Sequence, residues 1–321
     1  MINDMELKYS VGALLYSPAL NEKIADAIVS DRYDAPYSLA LCLEDTIADD
    51  SIKIAEQQLD KTLKVICSAL EKKQFYLPKI FIRVRSSEQM IRLFKDFQAY
   101  AEIITGFIFP KYSLSNADDY NSAMKDMNSK SEKTIYMMPI LESGDIVEYS
   151  SRHIILADIK EKIDTVKEFV LNIRVGGNDF SNLFAARRHY DETIYDILPI
   201  AQLLGDILTV FSREYVVSGP VWEFFSSDNE EWKRGLRDEL KLDRLNGFIG
   251  KTVIHPKQIS VVNEALKVSL KDFEDAKEII SWGDYGLQVG KSCAGERMNE
   301  VKTHTNWAIK TITLAEIYGV I

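Results

Sequence analysis

The sequence predicts an α/β fold, a (β/α)8 (TIM) barrel with a C-terminal helical extension, on three observations. Short β-rich apolar runs alternate with longer segments of helical period. About eight such units can be laid along the chain, the number that a closed parallel barrel requires. The runs also end in charged residues, as strands do when their carboxyl ends open into a site.

The runs fall at 11–17, 38–44, 80–85, 106–110, 135–141, 171–176, 215–218 and 248–255. Each is too short for a helix and rich in Ile, Val, Leu and Phe, which suits a strand buried on both faces. Helices are expected between them at 21–32, 49–73, 87–101, 116–128, 145–169, 194–208 and 229–245, each amphipathic enough to cover a barrel. Capping residues punctuate several junctions: Ser87 with Gln89 and Met90 behind it, Asn116 before Ala117 and Asp118, and Asp228 before the acidic pair Glu230 and Glu231. A closing helix is expected over 256–268, begun by Pro256. The barrel is thus assigned to 1–268 and the extension to 269–321, packing on its own barrel or on a neighbouring subunit.

A chain of 321 residues, 46% hydrophobic and 27% charged, is long enough for one large core. Its net charge of −10 argues against a nucleic-acid partner, because phosphate backbones are bound by clustered Lys and Arg. Cys42, Cys67 and Cys293 are widely spaced, with neither a disulfide framework nor a zinc-thiolate pattern. The amino terminus MINDMELKYS is polar and acidic, and no apolar run approaches the roughly 18 residues a membrane span needs. A cytoplasmic protein with a small-molecule partner is expected, with no nucleic acid, no membrane and a homo-oligomeric state.

Chemistry is sought where the runs end. The second ends in Glu44-Asp45, the third in Arg83-Val84-Arg85, the fourth in Pro110-Lys111, the fifth in Glu142-Ser143, the sixth in Gly176-Gly177-Asn178-Asp179 and the eighth in His255-Pro256. Carboxylates converging from several strands are costly unless paired or bound to a cation. Mg2+ suits two carboxylates completed by waters, and Glu142 and Asp179 are assigned as its ligands. The alternative is an ordinary loop after the sixth strand. Glu44 and Asp45 would orient water around the ion, or else form an acidic turn capping the next helix. Arg83 and Arg85, alternate residues of one strand, could fork onto a substrate carboxylate or phosphate, with Lys111 and Glu142 also facing substrate. His255 either contacts substrate or fixes the start of the last helix.

The ordered fragments LLYSPALNEKIADA, LALCLEDTIADDSIKIAE, FIRVR, GFIFPK, PILESGDIVE, IRVGGNDFSNL and GFIGKTVIHPKQISVVNEAL, with FEDAKEII behind them, resemble the citrate lyase beta-subunit and malyl-CoA lyase group of the HpcH/HpaI aldolase superfamily. That resemblance implies Arg83 as the family arginine, Glu142 and Asp179 as metal ligands, and Glu44 and Asp45 as the acidic pair. The chain departs from the pattern at Arg85, where relatives carry asparagine, and at Ser143, where they carry threonine. It departs again at 295–300, where relatives that cleave CoA thioesters place an aspartate that reaches the next subunit; here the acids are Glu296 and Glu300.

The implied activity is a magnesium-dependent carbon–carbon lyase or aldolase, of retro-Claisen or retro-aldol type. Its substrate would be a 2-oxo or 2-hydroxy carboxylate or an acyl thioester, CoA among the carriers. Arg83, Glu44 and Asp45 are the expected catalytic residues, the proton being moved by Asp45 through a water or by Glu300 of a neighbour. The rival readings are a thioester hydrolase using the same machinery and a ligand-binding barrel without turnover.

Overall fold

The computed structural model describes residues 4–34, 36–227, 229–282 and 286–321. They form two compact units, Val11–Val262 and a smaller one made of the described residues up to Ser10 with those of Asn263–Ile321. Helix α1 (Asp4–Tyr9), which opens the chain, belongs to the smaller unit.

The larger unit is a barrel of eight parallel strands: β1 (Ala13–Pro18), β2 (Ser38–Cys42), β3 (Lys79–Arg83), β4 (Ile104–Phe109), β5 (Tyr136–Leu141), β6 (Ile173–Val175), β7 (Val217–Ser218) and β8 (Lys251–Val253). Their order in the sheet, β7-β6-β5-β4-β3-β2-β1-β8, follows the chain. Each strand therefore lies beside its predecessor, the result of repeated βα crossovers of one hand. A parallel bridge from Gly219, just past β7, to Lys251 closes the ring.

Helices α2 (Ile24–Val29), α3 (Ile52–Leu70), α4 (Ser87–Asp96), α5 (Ala117–Lys130), α6 (Arg152–Asp164), α7 (Gly177–Leu183), α8 (Leu198–Phe211), α9 (Glu231–Asn246) and α10 (Lys257–Leu266) follow the strands. Strand alternation divides the two sides of the wall. Tyr16, Arg83, Ile140, Glu142, Arg174 and Thr252 line a cavity inside the barrel. Their neighbours Leu15, Ile82, Leu141, Ile173 and Val253 point the other way and are buried apolar residues. No described helix is long and apolar enough to cross a membrane.

Several local expectations shift. The helix expected over 145–169 is broken into a 3-10 turn at Gly144–Val147, α6, and a second turn at Lys167–Phe169. The Arg152 guanidinium explains the first break, because it takes the carbonyls of Ile146 (3.0 Å) and Val147 (3.1 Å), which an unbroken helix would use internally. Helix α7 stands where the sequence suggests only a loop. The cap of α4 is Ser86, whose hydroxyl accepts from the Gln89 amide at 3.3 Å, while Ser87, expected in that role, is the first helical residue. Asp228 lies outside the described residues.

The barrel seam is held by buried charge. Lys251 Nζ sits between Glu239 (2.8 Å) and Asp243 (2.7 Å), with Arg188 at 3.3 Å from Glu239. Tyr195 donates to Asp243 at 2.6 Å and the Ile194 amide to Glu239 at 2.8 Å. A Cβ on Gly219 would lie 2.8 Å from Asp243 Oδ2, so the missing side chain is what lets the acid reach the seam.

In the smaller unit, α11 (Leu270–Ser281) packs on α12 (Val301–Tyr318) through Ala276, Ile279 and Ala308, with Trp307 and Ile312 at the edge. Between these helices runs an antiparallel hairpin, β9 (Val289–Lys291) and β10 (Met298–Glu300). Arg297 ties it down, pairing with Asp272 (2.6 Å) and Asp275 (2.8 Å) and lying 5.0 Å over the Trp307 ring. Tyr318 donates to the Tyr9 carbonyl at 2.8 Å, joining the two ends of the chain.

Lys251→Met would leave Glu239 and Asp243 facing each other in a dry seam. Chemical unfolding should show a loss of about 3–5 kcal/mol, the usual result of breaking a buried pair. Adding Glu239→Gln to that variant should recover part of the loss.

Candidate active site at the carboxyl ends of the strands

A cavity of about 210 Å³ opens at the carboxyl ends of the strands, lined by Tyr16, Asp45, Arg83, Glu142, Arg174, Gly176, Asp179 and Thr252 among others. At its centre is Arg83, the last residue of β3 and almost fully buried. Its Nη2 lies 2.6 Å from Glu44, 2.8 Å from Asp45 and 3.3 Å from Glu142. Three carboxylates therefore share one guanidinium. Burial alone would lower the Arg83 pKa, but Tyr16, Glu142 and Glu44 outweigh it and hold the value above that of an ordinary arginine.

Glu142 follows β5 and is 5% exposed. Burial pushes its carboxyl up to about 8; Arg83 pulls it down, while the Asp179 and Glu44 charges push it up. Its Oε1 also accepts from the Lys111 amide at 3.0 Å. That amide can face the carboxylate because Lys111 adopts φ +50°, a left-handed turn that costs a non-glycine residue about 1–2 kcal/mol. Asn116, at the start of α5, steadies the turn by donating to the Lys111 carbonyl at 3.0 Å.

Burial raises Glu44, with Arg83 pulling against it. Partial burial pushes Asp45 up as well, but a hydrogen bond with Glu44 and the charges of Arg83 and Lys111 bring it below the ordinary carboxylate range. Lys111 Nζ completes the group at 3.2 Å from both acids. Asp179 sits in the first turn of α7, which starts directly after Gly176. A Cβ on Gly176 would lie 2.3 Å from Glu142 Oε2, so the two strand ends can meet only because that side chain is missing.

A family of C–C bond lyases of the TIM-barrel fold matches residues 5–320, nearly the whole chain. The chain belongs to this family. A search of curated proteins gives no match. Among solved structures it is similar to CitE of Mycobacterium tuberculosis in complex with magnesium, acetoacetate and coenzyme A, at 16% identity and TM-score 0.58, covering 96% of this chain and 99% of that one. It is also similar to the citrate lyase beta subunit of M. tuberculosis complexed with oxaloacetate and magnesium, at 18% identity and TM-score 0.52, covering 81% and 99%. RipC of Yersinia pestis follows at 14% identity and TM-score 0.52, covering 80% and 95%. At these identities the likeness is one of fold.

Within this member of the C–C bond lyase family, Glu142, Asp179, Arg83 and Asp45 share one cavity. Arg85 lies elsewhere: its guanidinium donates to the Leu43 carbonyl (2.7 Å) and the Ile47 carbonyl and pairs with Asp49 (2.6 Å), fastening the loop that carries Glu44 and Asp45. Lys111 faces the acidic pair and is half exposed. His255 takes the helix-start role, its Nδ1 accepting from the Lys257 amide at 3.2 Å and its ring stacked 4.7 Å from Phe225. Glu296 pairs with Lys271 at 3.0 Å, and the Glu300 amide donates to His304 Nδ1 at 3.0 Å.

Two cavity residues escaped the sequence reading. Tyr16 lies beneath Arg83, 5.6 Å from ring centroid to guanidinium, and burial raises its phenol. Arg174 of β6 is fully buried and donates to Thr252 Oγ1 at 2.6 Å. Its signal was a lone charge inside the apolar run LNIRV, two residues before Gly176 and hence on the same face.

Among the described residues no three His, Cys, Asp or Glu side chains gather as a metal site. Asp45, Glu142 and Asp179 do face one cavity, however, and a hard ion that keeps most of its water needs only two of them. The orphaned Glu44 Oε2, 2.6 Å from Arg83 but not aligned to accept from it, adds a further oxygen nearby.

Gly176→Ala should force Glu142 from its place. A crystal structure of the variant is expected to show the carboxylate displaced, and thermal unfolding a loss of about 1–3 kcal/mol, as for other overpacked sites.

Proposed function

We propose that the chain is a magnesium-dependent carbon–carbon lyase of retro-Claisen or retro-aldol type, acting on a 2-oxo or 2-hydroxy carboxylate or its acyl thioester. The observation that carries this reading is a buried Glu142 facing the same cavity as Asp179, with the bare Gly176 backbone beside its Oε2. Membership of a C–C bond lyase family supports it. So does the magnesium present with small acids in the mycobacterial structures.

Glu142 and Asp179 would hold the Mg2+. Bound there, the ion supplies Lewis-acid stabilisation of the negative charge that develops on oxygen when a bond next to a carbonyl breaks, typically worth several kcal/mol. Arg83 positions Glu142, and its Nε, which has no partner, offers a donor to the same developing charge. Asp45 is the proton carrier, acting through a water: it lines the cavity, and Arg83 and Lys111 keep it ionised. Glu44 and Lys111 position Asp45, and Arg85 serves the site through the loop it fastens.

The cavity, at about 210 Å³, is smaller than the roughly 300–1,000 Å³ of pockets that take drug-sized ligands, so it fits the acid alone. The carrier arm of a thioester substrate would lie outside it. A cytoplasmic homo-oligomer belongs to the same proposal.

Calorimetric titration with Mg2+ tests the reading. Loss of residues that merely orient metal ligands costs about 10–100-fold in affinity, so Glu142→Gln, which removes a ligand, should weaken binding more than about 100-fold. Unchanged affinity would refute the assignment. Product analysis with candidate thioesters then separates cleavage, which breaks a carbon–carbon bond, from hydrolysis, which releases only a free acid.

A further inference from the structure

The floor of the cavity holds a charge with no counter-charge. Arg174 is 1% exposed. Its side-chain partners are all neutral: Thr252 Oγ1 at 2.6 Å, Asn172 Oδ1 at 3.4 Å, and the Tyr16 phenol. Its Nε has no partner. Among the described residues no carboxylate pairs with it, and the charged side chain that acts on it, Arg83, has the same sign. A guanidinium does not shed its proton, so the cost of burying it stands until an anion arrives.

The guanidinium is also held in place. Asn172 is fixed by donating to Ser218 Oγ at 2.6 Å, and Ser218 in turn donates to the Ile249 carbonyl at 2.7 Å. Arg174 is in register with Ile140, two residues before Glu142, so its Cα lies roughly 6–7 Å nearer the barrel floor than that of Glu142 at the ordinary strand rise. The two arginines of the cavity therefore differ in kind. Arg83 is already matched by three carboxylates at the mouth, and Arg174 by none at the floor.

We propose that Arg174 is a specificity-determining residue, an anion-reading floor that selects ligands carrying a carboxylate on the end that points into the barrel. This rests on the function proposed above for the chelating end of the ligand. The acid bound would be compact and doubly charged: one carboxylate beside the Glu142 and Asp179 level, a second on Arg174. A monocarboxylate would leave the floor uncompensated.

The probes are (S)-malate and (S)-lactate, which share the 2-hydroxy carboxylate and differ in the second carboxylate, titrated calorimetrically into the full chain with saturating Mg2+. Wild type is expected to prefer malate by about tenfold to a hundredfold, the worth of a charge-assisted pair. Arg174→Met should weaken malate by that factor, leave lactate unchanged and so erase the preference, and Arg174→Lys should restore part of it. Equal affinities in wild type, or a preference that survives in a folded Arg174→Met protein, would overturn the inference. If Arg174→Met does not fold, the wild-type comparison decides alone. Titration with Mg2+ by itself separates the two proposals: absent metal binding with a malate preference retained defeats the lyase reading and spares Arg174.

Discussion

One guanidinium governs the upper end of this barrel. Glu44, Asp45 and Glu142 arrive from two different strands, and without Arg83 their charges would repel in a region largely withdrawn from water. Registry brings them together: Cys42 pairs with Arg83 across β2 and β3, so the residues just beyond Cys42 reach the guanidinium from one side. Glu142 reaches it from the other side, one step past the end of β5. The sheet registry thus places the bases of both loops, and the Arg85 contacts fasten the one that carries Glu44 and Asp45, which suits a site that must keep its geometry.

The barrel wall supports this by keeping its two faces chemically distinct. Outward residues such as Leu15, Ile82, Leu141 and Val253 are buried and apolar, so the helices close over them by hydrophobic burial alone. Inward residues near the carboxyl ends include the polar Tyr16, Arg83, Glu142, Arg174 and Thr252, with Ile140 and Ile254 among them. The seam between β7 and β8 departs from that division. With only two residues in β7, few backbone bonds are available there, and Lys251, Glu239, Asp243 and Arg188 add a charge-balanced network beside the short ladder.

Much of this is legible in the amino-acid string. The eight runs stand out because a parallel strand buried on both faces must be apolar nearly throughout, and their ends stand out because charge is tolerated only where the strand stops. For the same reason Glu142, Asp179, Arg83 and the Glu44-Asp45 pair could be named in advance as neighbours in space. What stayed hidden depends on partners distant in sequence. Arg174 is a single charge in a strand, and nothing local says that its neighbours Thr252 and Tyr16 would all be neutral. Arg85 looked equivalent to Arg83 by spacing, yet the Leu43 and Ile47 carbonyls claim it. The break after Val147 was masked because helical periodicity continues on either side of it. Helix α1, six residues long, is too short to form by propensity alone and is stabilised by tertiary contact.

The fastening of the 43–49 segment by Arg85 has a thermodynamic corollary. A turn bearing two carboxylates at a cavity mouth would ordinarily sample many arrangements, and an arriving ligand would have to freeze them. Here three anchors on one side chain, two carbonyls and the Asp49 carboxylate, immobilise that turn when the chain folds. The conformational entropy of the acidic turn is thus lost before any encounter, and association draws on a preorganised mouth whose charges already stand where they are needed.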